Sequence, residues 1–290
     1  MLLVTGFFDL YIRENNNIYK RDSKTYIDNF INLTSIIKNY KIIVYLDNTL
    51  ISYNNILSKI KNVEIKYISI NNLPLYKYLK KIYECNLCQP YFNINKYTPL
   101  YSIIVNSKFY LLKLAIEEYK NESCFSWIDF GCMYYNYLRK YFNENDIEPP
   151  IKYKIRLCIK DELYSNDKNI EYYFNNTPKV SGVFFSGYSE QLLDLYNFVN
   201  KIYLYFINTK RLIFEEHILG YYASINYNNC QIIFGSNFEA LLNIKKIKNN
   251  NSDTYIIFLK TFRNRNNRDP EINEIPEGLK HLTFMNNFKY

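Results

Sequence analysis

Three short segments carry side chains whose types and spacing could do chemistry. In Trp127-Ile-Asp129-Phe-Gly131 an apolar run stops at a carboxylate and then a glycine. A carboxylate just past a buried strand can hold a divalent cation, and such a cation neutralises a diphosphate leaving group without proton transfer. Asp also ends many strands because its side chain favours turns, so this segment alone leaves both readings open. In Ser181-Gly182-Val-Phe-Phe-Ser186-Gly187 two glycines bracket an apolar strand. They either let backbone amides approach a ligand closely or bend a buried strand. In Phe214-Glu215-Glu216-His217 adjacent acids open an apolar helix. They can stabilise its N-terminus through the dipole, or present a carboxylate as base, nucleophile or orienter.

Other chemistries lack their residues. His217 and His281 are the only histidines. A Ser-His-Asp triad has little to draw on, and an H-E-x-x-H metal site is absent. Neither a G-x-x-x-x-G-K-[ST] loop nor a G-x-G-x-x-G fingerprint occurs. Cys85 and Cys88 are half of a zinc-knuckle pattern with no second pair to complete it. The irregular spacing of the six cysteines points to free thiols in a reducing compartment.

The elements that must position these segments can be read from periodicity. Leu2 to Phe8 is a short apolar run ending at Asp9, and Lys41 to Leu46 is a second ending at Asp47. Between them Tyr26, Phe30, Leu33 and Ile37 fall on one helical face, with Asp22 or Ser23 as cap. Ile51 to Ile60 reads as a helix and Val63 to Ile70 as a third strand. Residues 72–98, with their prolines, read as an irregular insertion or a lid. A helix from Ser107 follows, with Phe109, Leu112, Ile116 and Tyr119 on one face, and then the strand that ends at Asp129. Tyr153 to Ile159, Val180 to Phe185 and Cys230 to Phe234 read as further strands. Helices follow from Ser189 and over Phe214 to Ser224. Alternation of strand and helix implies an α/β fold with a mostly parallel central sheet flanked by helices. Ligands of such sheets bind beyond the carboxyl ends of the strands, which puts Asp9, Asp47 and Asp129 on one rim.

The order of the three segments resembles GT-A glycosyltransferases. A Gly-Gly-Phe-Phe-Gly-Gly strand followed by an Asp-Glu pair occurs in the blood-group ABO transferase family. The sequence is more similar to the HtrL/YibB family of bacterial and protist proteins, which look like GT-A enzymes. The resemblance rests on Val4-Thr-Gly-Phe-Phe-Asp9, Arg21, Tyr26, Phe30, Tyr101-Ser-Ile, Ser107-Lys-Phe109, Trp127-Ile-Asp129-Phe-Gly131 and the Gly182 to Gly187 strand. It covers roughly residues 1–240 and implies a GT-A-like, Rossmann-like sheet and sugar transfer from a nucleotide sugar, most readily a UDP-sugar, to a protein or glycan acceptor. Carried over by position, it implies that Thr5, Phe7, Asp9 and Asp47 line the nucleotide pocket. It gives Lys108 a phosphate to reach or Asp129 to orient. Asp129 would hold manganese or magnesium, Gly182 and Ser186 would lie along donor sugar and acceptor, and Glu216 would be the carboxylate nearest the reacting carbon. Asp129-Phe-Gly131 departs from the two-acid DxD of many GT-A enzymes, which leaves the second metal contact open between His217 and none.

Composition sets the remaining bounds. Of 290 residues 48% are apolar, enough for a large core, and the net charge of +8 is spread as single lysines, the pattern of a solvated surface. The richness in Asn, Lys, Ile and Tyr is what an AT-rich genome encodes. Arg263, Arg265 and Arg268 among asparagines read as a solvated loop, with nucleic-acid contact the sharper alternative. No apolar run reaches the length of a membrane helix and the start has no basic leader, so the expected location is cytoplasmic. The domain is expected over 1–244, with an Asn/Lys-rich linker carrying a short strand, Tyr255 to Phe262, over 245–272. The tail, 273–290, holds Ile275-Pro-Glu-Gly-Leu-Lys-His-Leu-Thr-Phe284, which resembles one unit of the FNIP repeat and would imply protein contact. Two alternatives to catalysis stand beside the transferase reading: a transferase-like module that only binds, and a basic surface for nucleic acid.

Overall fold

The computed structural model describes residues 1–14, 22–87, 98–132, 149–161, 163–174 and 178–234, with single positions at 147, 268, 271 and 274. In chain order the elements begin β1 (Leu2–Phe7), α1 (Leu10–Glu14), α2 (Ser23–Ile36), β2 (Ile42–Asp47), α3 (Asn54–Leu57), β3 (Val63–Ile68), α4 (Leu79–Tyr83) and β4 (Asn86–Leu87). They continue with α5 (Pro99–Asn106), α6 (Lys108–Glu118), β5 (Cys124–Ile128), β6 (Ile155–Ile159), α7 (Ile170–Phe174) and β7 (Val180–Tyr188). The last are α8 (Ser189–Asn208), β8 (Arg211–Leu212), α9 (Glu215–Ile225) and β9 (Cys230–Phe234).

Seven strands form one sheet in the order β3-β2-β1-β5-β7-β6-β9, and β4 pairs with β8 in a small parallel sheet. Six strands of the main sheet run one way, and β7 runs against its neighbours β5 and β6. The mostly parallel α/β sheet expected from the sequence is therefore present, with one strand reversed. Alternation along the strands divides the core in two. Leu2, Val4, Ile43, Tyr45, Phe125 and Trp127 pack under α5, α6, α8 and α9. Leu3, Ile42, Val44 and Ile128 pack under α2, whose Ile27, Phe30, Leu33 and Ile37 are all buried. Each such buried side chain contributes roughly 1.5–3 kcal/mol of transfer free energy, which is why these amphipathic stretches hold as elements.

Several boundaries differ from the sequence reading for identifiable reasons. The stretch Ile51 to Ile60 is not one helix: a 3-10 segment over Asn48–Tyr53 runs into the single turn α3. Asp47 starts the 3-10 segment, its side chain accepting from the Thr49 amide, and Ile51 and Ile56 are exposed, so no apolar stripe carries a longer helix. Tyr153 is not in a strand but in a turn with φ of 65°, and β6 begins at Ile155. Helix α5 begins where the stretch expected to be irregular, 72–98, ends, with Thr98 capping through its hydroxyl and Pro99 at the first position. Asp22 caps α2, accepting from the Thr25 amide at 2.7 Å. The linker, the Tyr255 to Phe262 strand and the FNIP-like tail, apart from the isolated positions named above, lie outside the described residues, as do Cys88, Arg263 and Arg265.

Candidate active site

Because six strands are parallel, the residues that follow β1, β2, β5 and β6 share one rim of the sheet. Reversed β7 brings its amino end to that rim: Ile128 pairs with Phe184, and the Asp129 amide donates to the Val183 carbonyl at 2.8 Å. Helix α9 then sets its first residues over β7. Two polar clusters result.

The first lies beyond β1 and β2. Asp9 and Asp47 are both buried, at 1% and 0% exposure. The Arg13 guanidinium on α1 donates from Nε and Nη2 to the two Asp47 oxygens, a bidentate pair. That pairing raises the Arg13 pKa against the opposing effect of burial. Ser23 donates its hydroxyl to Asp9. Thr5 is fully buried one layer inside the rim, and Phe7 is held in a ring stack between Tyr26 at 4.8 Å and Phe130 at 4.9 Å. Both support the rim from beneath.

The second cluster centres on Lys108, the first residue of α6. Its ammonium donates to Asp129 Oδ1 at 2.9 Å, Glu215 Oε1 at 2.8 Å and the Gly182 carbonyl at 3.0 Å. An ammonium has three N–H bonds, and all three are taken, so Lys108 orients Asp129 and has none left for a phosphate. Burial alone would lower the Lys108 pKa, but the Asp129 and Glu215 carboxylates outweigh it and hold it above its ordinary value. Burial pushes the Glu215 carboxyl upward; Lys108 pulls the other way, and Glu216 adds to the rise. Trp127 donates its indole N–H to the same Asp129 oxygen at 2.7 Å. Both contacts fall on Oδ1, and the Asp129 side chain is 32% exposed.

Glu216 is tied to the same rim. Its Oε1 accepts from the Gly182 amide at 3.1 Å and from Lys160 Nζ at 2.9 Å. Lys160 follows β6 directly, and its amide donates to the Lys179 carbonyl at 2.7 Å. Lys179 in turn pairs with buried Asp167 at 2.8 Å and sits 4.3 Å over the Tyr164 ring, which pins the β6–β7 connection. Burial raises the Asp167 carboxyl pKa despite that pairing.

The glycines have different reasons. A Cβ on Gly182 would sit 2.6 Å from Glu215 Oε1, so this glycine makes room for the acid over the strand. A Cβ on Gly131 would sit 2.5 Å from the Tyr26 ring, while Phe130 is buried against Phe7 and Phe30. Asp129-Phe-Gly131 thus turns the carboxylate to the rim and locks the next two residues into the core. Ser186 and Gly187 lie elsewhere: they pair with Ser126 and Phe125 toward the amino end of β5, because β7 is reversed. Ser186 is fully buried there.

Asp9, Asp47, Lys108, Asp129, Gly182 and Glu216 therefore come to one rim; Thr5 and Ser186 are buried within their strands, and Phe7 is the partly buried last residue of β1. Sequence reading missed Arg13, Lys160 and the pairing role of Glu215. The adjacent acids were the signal for Glu215, but nothing in the sequence says which lysine each one meets. His217, buried on α9, is at 2% exposure. Among the described residues no group of three His, Cys, Asp or Glu side chains is placed to hold a metal ion. Asp129, Glu215 and Glu216 each have one oxygen occupied by a lysine.

The sequence matches the family described as "Bacterial protein of unknown function (HtrL_YibB)" over residues 1–246. The chain belongs to the HtrL/YibB family. Among solved structures it is similar to the apo form of mouse xyloside xylosyltransferase 1, with 9% identity and a TM-score of 0.40 over 80% of this chain and 84% of that one. No curated protein matches it by sequence. In this HtrL/YibB chain the five described cysteines, Cys85, Cys124, Cys132, Cys158 and Cys230, are free thiols. Among its described residues no helix is long and apolar enough to cross a membrane.

Proposed function

We propose that this chain is a glycosyltransferase that moves a sugar from a nucleotide-sugar donor to a protein or glycan acceptor. The observation that carries the reading is the Lys108–Asp129–Glu215–Gly182 cluster, with Glu216 beside it, at the carboxyl rim where α/β sheets bind ligands. Asp9 and Asp47, braced by Ser23 and Arg13, form the nucleotide side of that rim. Asp129 and Glu216 form the sugar side. Each of them has one oxygen fixed by hydrogen bonds, which orients the other toward a substrate. Orienting fixed charges before the reaction is what stabilises developing charge in a transition state. Glu216 is the carboxylate assigned to the reacting carbon; Lys108 and Trp127 act through Asp129 and are positioning residues.

A second reading, nucleotide binding without transfer, draws support from Gly131, where a two-acid motif would carry its second carboxylate. One assay separates the two. The full chain is mixed with UDP-, GDP- and CMP-sugars in turn, and release of free nucleotide is followed with and without candidate acceptors. Transfer predicts release from one nucleotide class, reduced at least about 100-fold in Asp129→Asn and in Glu216→Gln, the scale of loss when a preorganised group is removed. Binding of a nucleotide sugar with no release from any of them would support the second reading. Release unchanged in both variants would place the site elsewhere.

A further inference from the structure

Resting on the transferase reading, we infer that this chain takes the diphosphate of its donor without a divalent cation, and that the Lys160 ammonium supplies the positive charge instead. A cation at a diphosphate is normally held by one or two carboxylates together with phosphate oxygens and water. Here Asp129 Oδ1 already receives Lys108 and Trp127, and Glu215 Oε1 receives the same lysine. A divalent ion on Asp129 Oδ2 would stand beside an ammonium 2.9 Å from Oδ1 of the same carboxylate, and the like charges would repel. The position that would offer a second acid is closed as well. A side chain at residue 131 would begin 2.5 Å from the Tyr26 ring, and that ring cannot retreat freely because it stacks on Phe7.

The rim nevertheless has a cation to offer. Lys108 has no N–H bond left. Arg13 is clamped on Asp47. Lys160 is different: among the described residues its ammonium makes one contact, to Glu216 Oε1 at 2.9 Å, and the side chain is 24% exposed. Two of its three N–H bonds remain for phosphate oxygens. Its backbone is fixed by the end of β6 and by the amide bond to Lys179, so the charge stands at a defined place next to Gly182 and Glu216. Lysine is a compact point charge well suited to a phosphate.

The test is calorimetric titration of the full chain with UDP and with GDP, each in excess chelator and in excess manganese. It compares the wild type with Lys160→Ala and Lys160→Arg, and an unchanged melting midpoint in each variant shows that it folds. The inference expects one nucleotide to bind with a Kd that agrees within about twofold in chelator and manganese, the ordinary scatter of such a measurement. It expects Lys160→Ala to weaken binding about 10- to 100-fold, the range of a charge-assisted phosphate contact, and Lys160→Arg to keep most of it. Binding that requires manganese would overturn the inference and leave the transferase reading standing, as would Lys160→Ala binding as tightly as the wild type. Binding of neither nucleotide under either condition would remove this inference, and transfer from a UDP- or GDP-sugar with it.

Discussion

Lys108→Met should destabilise the protein, and the amount can be worked from the site. The ammonium lies 2.8 Å from Glu215 and 2.9 Å from Asp129, and Glu215 is only 5% exposed. Removing one partner of a buried pair typically costs 3–5 kcal/mol because the other charge is left uncompensated. Glu215 can limit that cost by taking a proton. From an ordinary carboxylate value near 4.3, neutralisation at pH 7 costs about 1.36 kcal/mol for each of some 2.7 units, or about 3.7 kcal/mol. The expected loss at pH 7 is therefore about 3–4 kcal/mol. The sign with pH follows from the same reasoning. In the variant, the folded-state pKa of Glu215 lies above its unfolded value, so the folded state binds more protons and stability falls as pH rises. The deficit against wild type should be largest near pH 7–8 and shrink toward about pH 5. Adding Glu215→Leu to Lys108→Met should restore at least about 2 kcal/mol, since an apolar pair leaves no buried charge. Urea unfolding midpoints at constant slope measure all of this. A deficit under about 1 kcal/mol, a deficit flat from pH 5 to 8, or simple additivity of the two substitutions would refute the coupling.

Three further outcomes follow from the contacts. Gly182→Ala places a methyl 2.6 Å from Glu215 Oε1, forces that carboxylate off Lys108 and should cost about 1–3 kcal/mol in urea unfolding. Glu64 has its pKa lowered to about 2, first by Lys41 and then by Tyr119 and Lys66. A depressed carboxylate contributes stability above its unfolded pKa of about 4.3 and loses it as pH falls toward 2, so melting midpoints should drop over that window and drop less in Glu64→Gln. Glu64 is 39% exposed, so screening limits the effect to about 0.5–1 kcal/mol. Tyr203→Phe removes a hydroxyl held 2.6 Å from Ser102 Oγ with both residues fully buried, and should cost about 1–2 kcal/mol in thermal unfolding, with little added by Ser102→Ala.

Much of the sheet was legible because the signals are local. The runs ending at Asp9, Asp47 and Asp129 become β1, β2 and β5, and the Tyr26–Ile37 stripe becomes α2. The direction of β7 was not legible, since a strand pattern reads the same in either sense, and that reversal is what carries Ser186 and Gly187 away from the rim. Helix α5 carried its start signal in Thr98-Pro99, but the nearby prolines pointed to an irregular stretch. In the site, the residue types were visible and the partners were not. Glu215 meets Lys108 across 107 positions and Glu216 meets Lys160 across 56, separations that only the packing of α9 on β7 brings together.

The most direct test of the account is thermal unfolding of the full chain against UDP-, GDP- and CMP-sugars, with Asp129→Asn as the control. A ligand that binds only the folded state at 100 times its Kd adds about 2.7 kcal/mol, which for a chain of this size raises the midpoint by about 5 °C. The account predicts such a rise for one nucleotide class in the wild type and its loss in Asp129→Asn. No rise with any nucleotide sugar, or a rise that Asp129→Asn leaves intact, would contradict it.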